Sequence, residues 1–199
     1  DVTSTESMNT LVDAAVKAFG RVDAMVNCAG VRGRLEKRNP LQDYDDDLWE
    51  TVISTEMTGA YHAIKAAAKR MVEQGQGGSL ITVGSATGIV PIKLQCAYSA
   101  AKAGVFNFTK AVAMELGPEK IRCNAIASGE TLNDELKALI DEQPESARAI
   151  VSHTPSGALV ETDELAALIC FLVSDAAASI TGAILTVDGA WTSGYTRDF

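Results

Sequence analysis

The chain has 199 residues, 47% of them hydrophobic and 22% charged, a balance that fits one globular domain over residues 1–199 and excludes a disordered chain. A formal net charge of -9 argues against a nucleic-acid partner, because phosphate binding needs clustered Lys and Arg. No run approaches the roughly 20 apolar residues of a membrane span, and the opening Asp1-Val2-Thr3 is no signal peptide, so the sequence predicts a cytoplasmic protein with no membrane partner.

In chain order, Thr3 and Glu6 have the spacing of a capping box. Met8, Leu11, Val12, Ala15, Val16 and Phe19 then recur at helical spacing, and Gly20 sits where a left-handed cap ends a helix. Val22 to Asn27 reads as a buried strand and Gly30 to Tyr44 as a loop. Asp43 and Asp45 to Asp47 suit a helix start, and helical periodicity runs from Asp45 to Glu73 with a break near Ser54. Gly75 to Gly78 is a loop, Ser79 to Val83 a strand, and Ser99 to Leu116 a helix stopped by Gly117-Pro118. Ile121 to Ala127 is the third strand. Leu132 to His153 is mixed and polar, with one or two short helices. Thr162 can cap a helix carrying Leu165, Leu168, Ile169 and Leu172, and Ile184 to Val187 is the fourth strand.

Helix and strand therefore alternate, and the strands are apolar on consecutive residues. Both features predict a doubly wound parallel α/β sheet buried on both faces. Such folds usually open on a G-x-G-x-x-G turn between a strand and a helix. No such motif occurs here, and Gly75 to Gly78 follows a helix and precedes a strand, the reverse order. Cys28, Cys96, Cys123 and Cys170 form no C-x-x-C pair and read as free thiols. No cluster has zinc spacing, so no metal is predicted.

Tyr98 and Lys102 stand four apart at a helix start, which puts both side chains on one face. A phenol is a poor acid or base at neutral pH, and a neighbouring ammonium lowers its pKa. Alone, such a pair fits a surface contact better than a site. Ser85 lies in Gly84-Ser85-Ala86-Thr87-Gly88, just past a strand, at the sheet edge where open α/β folds bind ligands.

Together these segments resemble the short-chain dehydrogenase/reductase family. Ser85, then Tyr98 thirteen positions on, then Lys102 match its Ser…Tyr-x-x-x-Lys order. Asn27-Cys28-Ala29-Gly30 resembles its Asn-Asn-Ala-Gly motif, and Asp1-Val2-Thr3 its segment after the third strand. Ile121 to Gly129 resembles the sixth strand with its Pro-Gly turn, and Ile180 to Gly189 the last strand. The resemblance implies a Rossmann-like fold lacking its first three strands in this chain, and NAD or NADP as cofactor. It also implies hydride exchange between a secondary alcohol and a ketone, and a homodimer or homotetramer. Tyr98 would be the general acid–base, Lys102 would lower its pKa, and Ser85 would orient the substrate oxygen. Asp1, Asn27, Ala29, Gly30, Tyr98, Lys102, Gly129 and Thr131 would meet the cofactor.

Three departures qualify the match. Glu56 stands where the family usually has an Asn that holds a water feeding protons to the lysine. Ser128 replaces the Pro of the Pro-Gly turn. The glycine-rich pyrophosphate loop, and the residue separating NAD from NADP, fall outside the chain. The second reading is therefore a catalytically silent member of the same fold, or an inactive fragment.

Overall fold

Ser4, rather than Thr3, opens the first helix. In the computed structural model, which describes residues 1–31, 39–142, 145, 148 and 151–194, the Ser4 hydroxyl accepts from the Ser7 amide at 3.2 Å. Thr3 is engaged elsewhere: its N–H and hydroxyl both donate to the Asp1 carboxylate at 2.8 Å. Helix α1 (Thr5–Phe19) closes at Gly20, whose φ of 84° is the expected left-handed cap. The segments read as loop over 30–44, as short helices over 132–153 and as a tail after Trp191 lie in part outside the described residues.

Four strands build the main sheet: β1 (Ala24–Asn27), β2 (Gly78–Ser85), β3 (Ile121–Ser128) and β6 (Ile184–Val187). Their order is β1-β2-β3-β6 and every pairing is parallel. The doubly wound parallel α/β reading therefore holds. Burial on both faces holds for the central pair, with Leu80, Ile81, Ala125 and Ile126 all at 0% exposure. Residues of β1 and β6, each paired with one strand within this chain, are mostly half-exposed. A second parallel pair, β4 (Thr131–Leu132) with β5 (Val160–Glu161), is too short to show in sequence periodicity.

The long helical stretch is interrupted at Ser54, where its periodicity predicts the break. Asp45 caps α2 (Asp46–Ile53) by accepting from the Asp47 and Leu48 amides at 2.9 and 3.2 Å. Ser54–Thr58 then form a π turn, closed by the Gly59 amide on the Ser54 carbonyl, before α3 (Gly59–Gln74). Such turns insert one extra residue into a helix and are frequent at functional sites. The helix bearing Tyr98, α4 (Cys96–Leu116), starts three residues earlier than predicted. Further along the chain lie α5 (Asp134–Glu142) and α6 (Thr162–Val173).

Alternate residues of β2 feed opposite cores. Leu80 packs with Met8 and Val12 of α1, Ala63, Ile64, Ala67 and Met71 of α3, and Val112 of α4. Ile81 faces the other way, with Ile126, Leu165 and Leu172 of α6. Helices on both faces hold the central strands rigid, and so fix where their ends point.

Candidate active site

The strand register gathers the predicted site residues at one edge. Asn27 pairs with Thr82, Ser85 with Ser128, and Ser128 with Val187, so three strands end their pairing close together. This is the carboxyl edge of a parallel sheet, where helices and loops leave a crevice. Gly88, in the turn after β2, packs directly on the backbone of α4. A Cβ there would lie 2.8 Å from the Lys102 carbonyl carbon and 2.9 Å from its oxygen, so only glycine allows this approach.

Tyr98 and Lys102 do share a face of α4, with the Lys102 ammonium 5.3 Å from the centroid of the Tyr98 ring. Lys102 is 6% exposed, which is rare for a lysine and requires a counter-charge. Glu56, 2% exposed, supplies it: Lys102 Nζ lies 2.6 Å from Glu56 Oε2. The contact is one of charge at short range, since neither carboxylate oxygen has a well-aligned hydrogen bond. The π turn aims this carboxylate inward. It also presses on Gly30, where a Cβ would stand 2.8 and 2.9 Å from the two oxygens.

Burial pushes the Tyr98 phenol above its usual value. Lys102 opposes that shift, in the direction the sequence predicts, and a hydrogen bond with Ser85 opposes it too, while Glu56 and Glu130 reinforce it. Burial likewise raises the Glu56 carboxyl, against the lowering effects of Lys102 and the Val31 backbone. The Ser85 hydroxyl accepts from the Thr87 amide at 3.2 Å and meets the Thr87 hydroxyl at 3.1 Å, which holds it at the end of β2. Leu94, two residues before α4, has φ 67°, a left-handed conformation that strains a leucine beside the site.

The remaining predicted residues fall into three groups. Asn27 is buried at the tip of β1, and its Oδ1 accepts from the Ala29 amide at 3.2 Å, which turns the exposed backbone of Ala29 and Gly30 outward. Beyond β3, the Ser128 and Thr131 hydroxyls share a hydrogen bond at 2.6 Å, and the one that accepts in it donates to the nearby Gly129 carbonyl, so Ser128 braces the turn where the family has proline. Asp1 stays exposed at the start of α1, tied to Thr3. Sequence reading missed two participants, Thr87 and Glu130. The three-residue spacing of Ser128 and Thr131 was the one local signal that this turn is held by hydroxyls.

The fold and this edge define a Rossmann-like oxidoreductase, and the chain belongs to the short-chain dehydrogenase/reductase family. The enoyl-(acyl carrier protein) reductase family model matches residues 1–192. L-rhamnose 1-dehydrogenase (NAD(P)(+)) of Azotobacter vinelandii is 40% identical over 189 residues, 95% of this chain and 72% of that protein. The 3-oxoacyl-[acyl-carrier-protein] reductase FabG of Haemophilus influenzae is 36% identical, over 95% of this chain and 75% of its own length. Among solved structures, ElxO with NADP bound superposes with a TM-score of 0.91 at 31% identity, covering 98% of this chain and 77% of that one. The chain is thus an NAD(P)-dependent enzyme of this family.

Proposed function

We propose that this NAD(P)-dependent enzyme interconverts a secondary alcohol and a ketone on a small molecule, with Ser85, Tyr98 and Lys102 as its catalytic residues. The observation that carries this is the convergence of a buried lysine, a phenol one helical turn away and a strand-end serine at one sheet edge. In reduction, the Tyr98 phenol donates its proton to the oxygen as charge develops there. In oxidation, the phenolate takes that proton from the alcohol. Lys102 stabilises the phenolate electrostatically, and the Ser85 hydroxyl donates to the substrate oxygen.

The bound nicotinamide supplies or accepts the hydride. Its site fits the residues present: Ala29 and Gly30 offer exposed backbone without bulk, and the Lys102 ammonium keeps donors beyond the one facing Glu56. Asp1, Asn27, Ala29, Gly30, Gly129 and Thr131 would line it, with Tyr98 and Lys102 at the reacting end. The four free cysteines, two of them exposed, support a reducing compartment and hence the cytoplasm. Exposed Trp49, Met57 and Tyr61 along α2 and α3 support a homodimer or homotetramer, which light scattering reads directly.

The test is cofactor-linked turnover of a panel of sugars, ring alcohols and acyl thioesters by the wild type and by Tyr98→Phe. A loss of roughly 10²- to 10⁴-fold is expected for Tyr98→Phe on whichever substrate turns over. Equal rates would reject Tyr98 as the proton donor.

A further inference from the structure

The pairing of Glu56 with Lys102 has a cost for Tyr98. A single ammonium serves two potential anions, the Glu56 carboxylate at 2.6 Å and the phenolate whose ring centre is 5.3 Å away. Glu56 and Lys102 are buried and Tyr98 is half-buried, so screening between them is weak. Of the groups that favour the carboxylate, Lys102 acts more strongly than the Val31 backbone, so Lys102 is its main stabiliser.

Resting on the Ser85–Tyr98–Lys102 reading, we propose that Glu56 competes with Tyr98 for the charge of Lys102 and thereby sets the pH at which Tyr98 works. Glu56 is a positioning residue that acts through the lysine and does not touch the reacting atoms. Two effects point the same way. The carboxylate takes up the ammonium, and it repels the phenolate directly. The phenol stays protonated to higher pH than Lys102 alone would allow, which favours the proton-donating direction, reduction. The raised phenol of Tyr98 agrees with this geometry.

The surroundings narrow the assignment. From α4, Lys102 and Tyr98 face Glu56. From the segment after β1, Gly30 and Val31 present backbone only. On α3, His62 is engaged by the Val2 carbonyl at 3.0 Å. Glu130, beyond β3, also acts on Tyr98. Among the described residues, Glu56 is therefore the one anion in contact with both the lysine and the floor of the site.

The test is the titration of Tyr98 in the purified protein, read by tyrosinate absorbance as the difference from a matched Tyr98→Phe protein. Glu56→Gln removes the charge and keeps the shape. It is expected to move the Tyr98 midpoint down by about one pH unit. The rising limb of kcat/KM for alcohol oxidation is expected to move with it. Glu56→Asp, which keeps the charge, is expected to restore a midpoint near the wild type. An unchanged or raised midpoint in Glu56→Gln overturns the proposal, as does a large fall in kcat with no movement of the pH profile. If the glutamine variant does not fold, Glu56→Asn carries the same expectation. An active Tyr98→Phe enzyme would defeat the catalytic reading, while the absorbance titration would still decide the coupling of Glu56 to Tyr98.

Discussion

The two ends of strands β2 and β3 follow different rules. At the amino end, Leu80, Ile81, Ile121 and Cys123 are at most 1% exposed, and each buried polar neighbour is paired. Asn124 donates to the Ile180 carbonyl at 2.8 Å and accepts from the Ala183 amide at 3.0 Å, and Ser79 donates to the Leu172 carbonyl at 3.2 Å. Burial there pushes the Cys123 thiol up to about 12, which makes it inert. At the carboxyl end, a carboxylate, an ammonium and a phenol share one site. Among the described residues, the buried side-chain atoms lacking an aligned hydrogen bond belong to Glu56 and Ser99, both beside the Tyr98–Lys102 pair. One end is satisfied and supplies stability. The other holds a buried ion pair beside a phenol, an arrangement that shifts pKa values.

The sharpest way to break this contrast is to strike each end separately. Tyr98→Phe should cost up to about 5 kcal/mol in transition-state stabilisation, read as lost turnover. Its thermal midpoint should stay within about 3 °C, because one half-exposed hydroxyl is a small part of the stability. Leu80→Ala should do the opposite. It leaves a cavity at the dry end and should cost about 3 kcal/mol in a urea titration, with turnover per folded molecule unchanged. Gly88→Ala tests the seam between the ends. Its Cβ would press on the Lys102 backbone, so a loss of about 2 kcal/mol should come with lower kcat. Arg70→Ala, on the outer face of α3, sets the baseline. Its ion pairs with Asp13 and Glu73, at 3.1 and 3.4 Å, are solvent-exposed, so about 0.5 kcal/mol or less is expected. A turnover defect in Leu80→Ala would show that the ends are not independent.

The dry end was the more legible in sequence. Consecutive apolar residues announce a central parallel strand, and β2 and β3 were located to within two residues. For β6, which among the described residues pairs with β3 alone and is half-exposed, an apolar run does not reveal how many neighbours a strand has. At the wet end, side-chain identity and spacing marked Ser85, Tyr98 and Lys102, since one helical turn has one geometry. Glu56 was visible only as a departure from a family pattern. The periodicity marked a break near Ser54, but it did not say that a π turn sits there or that this turn points Glu56 inward. The capping of α1 by Ser4 and of α6 at Glu161 shifted similarly by one residue, where adjacent cap formers compete.

That π turn has an arithmetic consequence. An α-helix rotates by about 100° per residue, and the extra residue in Ser54–Thr58 offsets everything after it by that amount. Val52 on one side and Ala60, Ala63 and Ala67 on the other are all anchored in packed contacts. Deleting one residue between them would force a choice: an apolar stripe leaves its core, or the carboxylate swings away from the lysine. The placement of Glu56 is therefore encoded in a count of backbone residues between two fixed helices. Point substitutions sample the chemistry of that position, and only an insertion or deletion can change its address.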